Sequence, residues 1–304
     1  MIKELYENAY KLKENGLSIW KIVYKVNKLV VNIIYPISQR FNNKCGVEEN
    51  NIIVSLTSYP ARIKTLWITV ASLLNQTYRP SKVVLFLSKE QFPQEELDLP
   101  KNLLKQKARG LDIVFVDDDL KPHKKYFYAF NMYRNHIVIT ADDDILYPEN
   151  HIEKLIEASQ TYPDAIICAR SHRIEIWNDN DFQPYNKWAD NNTEEPDLLT
   201  LPIGCNGVLY KPHMFVEELF SVEKIKDCAL YEDDLWLKAM EIKSGIKAYN
   251  CCKNSLVYFN NIFTMKTGLW HVNTDNETNG NDIAWRNIIQ CYPEVKERLL
   301  LSLN

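Results

Sequence analysis

Between Asn51 and Tyr162 the chain alternates short, continuously apolar runs with stretches in which apolar residues recur every three or four positions. "NIIVSL" (51–56), "KVVLFLS" (82–88), "LDIVFVD" (111–117) and "HIVITA" (136–141) are rich in β-branched residues and predict four strands. "IKTLWITVASLLNQ", "KYFYAFNMY" and "NHIEKLIEASQTY" carry the helical period and predict helices. Strands apolar on both faces, alternating with helices, predict an α/β fold with a mostly parallel sheet covered on both sides. After the fourth strand the alternation loosens. "IICARSHRIEIW" and "GVLYKP" read as strands, 178–202 as a polar loop region, and "DDLWLKAMEIKSG" as a helix stopped by Gly245. Trp177 and Trp188 are candidate aromatic faces for a ligand, or core residues.

Upstream of the first strand, Ile19, Ile22, Val23, Val26, Val30, Ile33 and Ile34 recur at helical spacing, with Lys21, Lys25 and Lys28 on the other side. Residues 1–44 hold eight Lys and Arg against three Glu, so this arm is basic in a chain whose formal charge is −4. The lysines make it a poor membrane span, and no small-residue cleavage site follows it. Two roles stay open for the arm: docking on an anionic membrane surface, or packing on the main domain or a partner. The acidic balance excludes nucleic acid as the main partner. Seven cysteines with no CxxC spacing read as reduced thiols, which places the protein in the cytoplasm, where the sequons at Asn75, Asn191 and Asn276 carry no meaning. The division expected is a basic helical arm (1–47), a catalytic domain (48–265, with halves 48–150 and 151–265) and a C-terminal segment (266–304).

In sheets of this kind ligands collect beyond the carboxyl ends of the strands. "TSYPAR", "DDDLKPHKK" and "ADDD" all fall there. Asp142 and Asp144, two apart at a strand end, point the same way and could share a hard cation that grips a diphosphate. Against this stands a plainer role, acidic residues complementing the start of the next helix. A second cluster, Glu232, Asp233 and Asp234, opens the later helix and offers either a general base or the same dipole effect. Lys124 or Lys125 could lie near phosphate as a point charge. Gly204 and Gly207 would allow a ligand to approach the backbone closely, or merely serve a turn.

"IIVSLTSYPARIKTLWITVASLLNQTYRPSKVVLFLS", "RNHIVITADDDILYPENHIEKLIEA", "LPIGCNGVLYKP" and "YEDDLWLKA", spread over roughly residues 50–245, resemble the GT-A fold nucleotide-sugar glycosyltransferases, in particular bacterial family-two-like enzymes that build capsule, lipopolysaccharide or other surface glycans. The resemblance implies that Thr57, Tyr59 and Arg62 surround the base and ribose. It implies that Asp142, Asp143 and Asp144 form the DXD motif, with Asp144 and Asp142 on Mn²⁺ or Mg²⁺. Asp234, or Asp233 if the register shifts by one, would be the base. A late histidine, His271 in "GLWHVN", would complete the metal shell. The implied activity is transfer from a UDP-sugar to a glycan or lipid-linked glycan, metal-dependent and inverting, with the arm holding the enzyme on the inner face of the membrane. Three alternatives remain: a retaining transferase, a non-catalytic nucleotide-sugar or glycan-binding module, and a sugar-nucleotide pyrophosphorylase, whose glycine-rich loop "SLTSYPARIK" lacks.

Overall fold

In the computed structural model, which describes residues 1–177, 181–190, 194–252, 256–267 and 280–303, the predicted alternation is present and positions everything else. The arm forms α1 (Ile2–Glu14) and α2 (Trp20–Gln39). Then come β1 (Ile52–Thr57), α3 (Leu66–Leu73), β2 (Lys82–Ser88), the short α4 (Lys101–Leu104), β3 (Leu111–Val116), α5 (Lys124–Met132) and β4 (Ile137–Ala141). The second half contains β5 (Ile145–Leu146), α6 (His151–Thr161), β6 (Ile166–Cys168), β7 (Ser171–Arg173), β8 (Thr200–Pro202) and β9 (Val208–Tyr210). α7 (Val222–Cys228), α8 (Asp233–Ser244), β10 (Ala248–Asn250), β11 (Phe259–Asn260), α9 (Gly280–Cys291) and α10 (Pro293–Leu301) complete it.

Seven strands make the central sheet in the order β10-β6-β9-β4-β1-β2-β3. Every pairing is parallel except those of β9, which runs against both β4 and β6. The single strand expected over "IICARSHRIEIW" is broken. β6 stays in the sheet, whereas β7 leaves it to pair with β8 in a separate ribbon. At the break the Ala169 N–H bonds the Gly207 carbonyl at 3.3 Å and the Arg170 carbonyl accepts from Ile203 N–H at 3.0 Å. Those bonds to the loop before β9 turn the chain out of the ladder.

Alternate residues of one strand face opposite sides of a sheet, so the sheet divides the interior in two. Val54 and Leu56 of β1 pack with Tyr6, Val31, Tyr35, Leu66 and Leu155, drawn from α1, α2, α3 and α6. Ile53, one residue before Val54 and so on the opposite face, joins Phe130, Leu237, Met240, Trp285 and Leu299 from α5, α8, α9 and α10. Trp188 belongs to this second core, with its ring 5.6 Å from that of Trp285, while Trp177 is exposed.

The arm is fastened to the first face. The Glu149 carboxylate accepts from Ile2 N–H (3.1 Å) and Lys3 N–H (2.8 Å), satisfying otherwise orphaned donors at the start of α1. Tyr6 Oη donates to the Leu256 carbonyl at 2.7 Å. α2 packs through a face the apolar pattern did not indicate. Asn27, Val31, Asn32 and Tyr35 are its buried residues. The Asn32 amide donates to the Asn260 carbonyl and its oxygen accepts from Ile262 N–H, both at 3.0 Å, pairings that no aliphatic side chain could offer at that edge. Of the expected stripe, Val23 and Val30 are half-buried, whereas Ile19, Ile22, Val26, Ile33 and Ile34 are exposed. Nor does Lys28 stand on a solvent side. It is half-buried against the domain.

Candidate functional site

β1, β4 and α8 bring the two acidic clusters together at the carboxyl edge of the sheet. After β4 the chain must turn, and the turn is pinned by Asp143, whose carboxylate is buried. It accepts from Ser58 Oγ at 2.6 Å and pairs with Arg62, while its carbonyl accepts from Thr69 Oγ1 at 3.0 Å. With Asp143 held inward, Asp142 and Asp144 on either side remain partly accessible, at 30% and 19% side-chain exposure. Asp142 N–H donates to Tyr147 Oη at 2.8 Å, and the Asp144 carbonyl accepts from Asn261 N–H at 2.6 Å.

Lys125, on the first turn of α5, is the junction. Its ammonium lies 2.7 Å from Asp142 Oδ1 and 2.9 Å from Asp233 Oδ2. The second contact is an ion pair at contact distance without the alignment of a hydrogen bond. Burial works against the charge on Lys125, but Asp142, Asp233 and Asp234 together outweigh it and hold the ammonium well above its usual range. Neighbouring Lys124 turns the other way and pairs with Asp119. The two candidate lysines therefore separate cleanly.

Asp234 sits on the Gly204 N–H, which donates to its two oxygens at 3.2 and 3.1 Å. Burial, then the charge of Asp233, push its carboxyl up to about 8. Asp144 is pushed up to about 7, first by burial and then by Asp143 and Asp142, against the pull of Arg62. A Cβ on Gly204 would stand 3.0 Å from Asp234 Oδ1 and 3.2 Å from Lys125 Nζ, so the tight approach at the site is made by Gly204. Gly207, expected beside a ligand, instead faces the His151 ring at 2.6 Å from such a Cβ, and its φ of +85° needs glycine.

At the end of β1, Thr57 Oγ1 donates to the Phe86 carbonyl at 2.8 Å, and in the loop that follows Arg62 lies over the Tyr59 ring at 5.6 Å. Arg62 also reaches Asp144 at 3.2 Å, so this guanidinium serves the acidic turn. His271 lies outside the described residues. Sequence reasoning missed Ser58 and Tyr147, which orient the turn, and Lys28 of α2. Half-burial pulls the Lys28 ammonium down while the charge of Asp144 opposes the shift, which puts the arm beside the cluster. "TSYPAR" held the Ser58 signal, a hydroxyl at a strand end. Nothing in the pattern marked Lys28 as facing inward.

Asp143 and Asp144 thus pair with Arg62 and Asp142 and Asp233 with Lys125, while Asp234 adds its field at Lys125; five carboxylates around two paired cations suit a divalent cation. Asp142 and Asp144 supply the hard oxygen donors. Among the described residues no three His, Cys, Asp or Glu side chains form a ready metal cage. One or two carboxylates completed by substrate phosphates is the donor set magnesium-like ions accept. A cavity of about 700 Å³ lies elsewhere, between α1, α6 and the Cys251–Cys252 turn, and none of these five carboxylates lines it.

A family model described as glycosyl transferase family 2 matches residues 54–208, just over half of the chain. No curated protein matches. Among solved structures, S. aureus TarS (residues 1–349), also solved with UDP, is 14% identical over 82% of this chain and 83% of its own, with a TM-score of 0.40. The mannosyltransferase PcManGT of Pyrobaculum calidifontis, solved with GDP-Man and Mn²⁺, is 13% identical over 82% and 66%, at 0.38. A 4-diphosphocytidyl-2C-methyl-D-erythritol synthase from Anaerococcus prevotii reaches 0.41 at 12% identity, over 75% and 99%. These likenesses are too distant to carry an argument about chemistry.

Proposed function

Because this chain belongs to glycosyl transferase family 2, we propose that it moves a sugar from a nucleotide diphosphate, a UDP-sugar, to a hydroxyl of a glycan or lipid-linked glycan in surface-polysaccharide synthesis. The observation that supports this most is the convergence of the two acidic clusters on Lys125, which sets a candidate base beside a candidate diphosphate site. Asp234 is the base. Its raised carboxyl gives it proton affinity near neutral pH, and the Gly204 N–H fixes its direction. It takes the acceptor hydroxyl proton as the acceptor oxygen bonds to the anomeric carbon. The bond from that carbon to the diphosphate breaks with its electron pair leaving on UDP, so the anomeric configuration inverts.

Asp233, tied to Lys125, maintains the field around Asp234. Positive charge developing at the anomeric carbon would be stabilised by these carboxylates. Asp142 and Asp144, with His271 completing the shell, would hold Mn²⁺ or Mg²⁺. Such an ion, when bound, stabilises the departing diphosphate as a Lewis acid. Tyr59 and Thr57 would face the uridine, while Asp143 and Arg62 keep the turn in shape. With a lipid-linked acceptor, residues 1–44 would hold the enzyme at the cytoplasmic face of the membrane.

A panel of nucleotide sugars incubated with the protein and Mn²⁺, read by released nucleoside diphosphate with and without EDTA, tests this. Slow hydrolysis of one donor, stopped by EDTA and by Asp144→Ala, is expected. Donor binding with no turnover in the presence of any glycan acceptor would favour the binding-module alternative. Turnover surviving in a variant lacking both Asp233 and Asp234 would sink the base assignment.

A further inference from the structure

α2 is inverted with respect to an ordinary surface helix. Its domain side is closed by polar pairings: Asn27 donates to the Leu5 carbonyl at 2.8 Å, Tyr24 Oη to the Val257 carbonyl at 2.9 Å, and Asn32 holds Asn260 and Ile262. Its outer side is apolar. Ile19, Ile22, Val26, Leu29, Ile33 and Ile37 are each between 51% and 65% exposed, and Phe41 just beyond is 83% exposed. At 3.6 residues per turn those six side chains fall within an arc of about 80° and run for roughly 27 Å. A helix packed on a domain normally turns such a stripe inward. Here it faces solvent.

Charge selects the occupant. Between Leu17 and Lys44 there are five cations, Lys21, Lys25, Lys28, Arg40 and Lys44, and no acidic residue, in a chain with a formal charge of −4. Lys21 and Lys25 are exposed beside the stripe. A second copy docking stripe to stripe would bring two such basic faces together, which like-charge repulsion disfavours. Among the described residues no helix is long and apolar enough to cross a membrane.

We propose that the outer face of α2 lies in the interfacial plane of an anionic lipid bilayer, with Ile22, Val26, Leu29, Ile33 and Ile37 set among the acyl chains and Lys21, Lys25 and Arg40 at the headgroups. The docking rests on the sugar-transfer reading only for its purpose, presenting a lipid-linked acceptor to the site. Asn32 holds β11, and the residue after β11, Asn261, bonds Asp144, so the acidic turn stands at a fixed offset from the helix.

The test is co-sedimentation of the full chain with phosphatidylcholine vesicles with and without 30% phosphatidylglycerol, beside an Ile22→Gln/Val26→Gln/Ile33→Gln variant. Point changes at exposed positions are needed because deleting the arm would strip one sheet face. Partition onto the anionic vesicles should fall at least tenfold in the variant, with an unchanged thermal midpoint, and should weaken for the unaltered chain without phosphatidylglycerol or in high salt. Equal partition of the variant, or no binding by the unaltered chain, would overturn the proposal. So would a dimer that the variant dissociates without any vesicle binding. No nucleotide sugar enters the assay, so failure of the transferase reading leaves its outcome untouched.

Discussion

Lys125→Met removes the cation that Asp142 and Asp233 share while keeping most of its volume. The Lys125 side chain is 6% exposed, Asp233 11% and Asp142 30%. Removing one partner of a buried ion pair costs about 3–5 kcal/mol, because the other charge is left uncompensated. Asp142 can recover some hydration, so a loss of about 2–4 kcal/mol is expected here. For a chain of 304 residues that corresponds to a fall in the thermal midpoint of about 3–6 °C. If stranded carboxylates are the cause, adding Asp142→Asn and Asp233→Asn should return at least half of the loss, a coupling of about 1–2 kcal/mol. Thermal and urea unfolding of the lysine variant, the asparagine pair and the triple variant measure this. A loss below about 0.5 kcal/mol, or strictly additive effects, would refute the view that Lys125 joins the two clusters energetically.

Asp234→Asn should lower kcat by about 100- to 10,000-fold, the range for loss of a general base, with donor affinity by calorimetry nearly unchanged. Because the Asp234 carboxyl is pushed up to about 8, it ionises only as the pH rises through that value. The rising limb of kcat/KM should therefore lie near pH 8, and Asp233→Asn, which removes the neighbouring like charge, should move it downward. Gly204→Ala, whose methyl would meet Asp234 and Lys125, should cut turnover more than stability. Gly207→Ala should do the reverse, losing about 1–3 kcal/mol to the His151 contact and the positive φ, as unfolding will show.

β1, β2 and β4 were legible because each is buried on both faces and so reads as a nearly continuous apolar run, whereas β3, at the sheet edge and half-buried from Asp112 to Phe115, was legible from its β-branched and aromatic residues. Strand direction has no such signature, and nothing in "GVLYKP" marks β9 as antiparallel. The bend at Ala169–Arg170 was hidden because what ends β6 is a pair of bonds to residues more than thirty positions away. Within the candidate site, spacing alone pointed to Asp142, Asp144 and the Asp233–Asp234 pair, since clustered carboxylates stand out in any sequence. Their union through Lys125 depends on how α5 rotates against the sheet. Periodicity found the stripe on α2 but could not tell which side the domain holds, because three of the four buried residues on the holding side, Asn27, Asn32 and Tyr35, are polar or amphipathic and only Val31 is aliphatic.

The division of the interior by the sheet bears on how this protein is made. Residues 54–208, the stretch the family model covers, supply most of the strands but only part of what covers them. One face is closed by α1 and α2 from upstream, the other by α8, α9 and α10 from downstream. Cut to that stretch alone, the sheet would stand bare on much of both sides and aggregate. During synthesis the two covers arrive at opposite times. The first is already off the ribosome when β1 appears, whereas Trp285, Ile288, Val295 and Leu299 emerge last. The second face is therefore the one a nascent chain leaves open longest, and the one a chaperone would find.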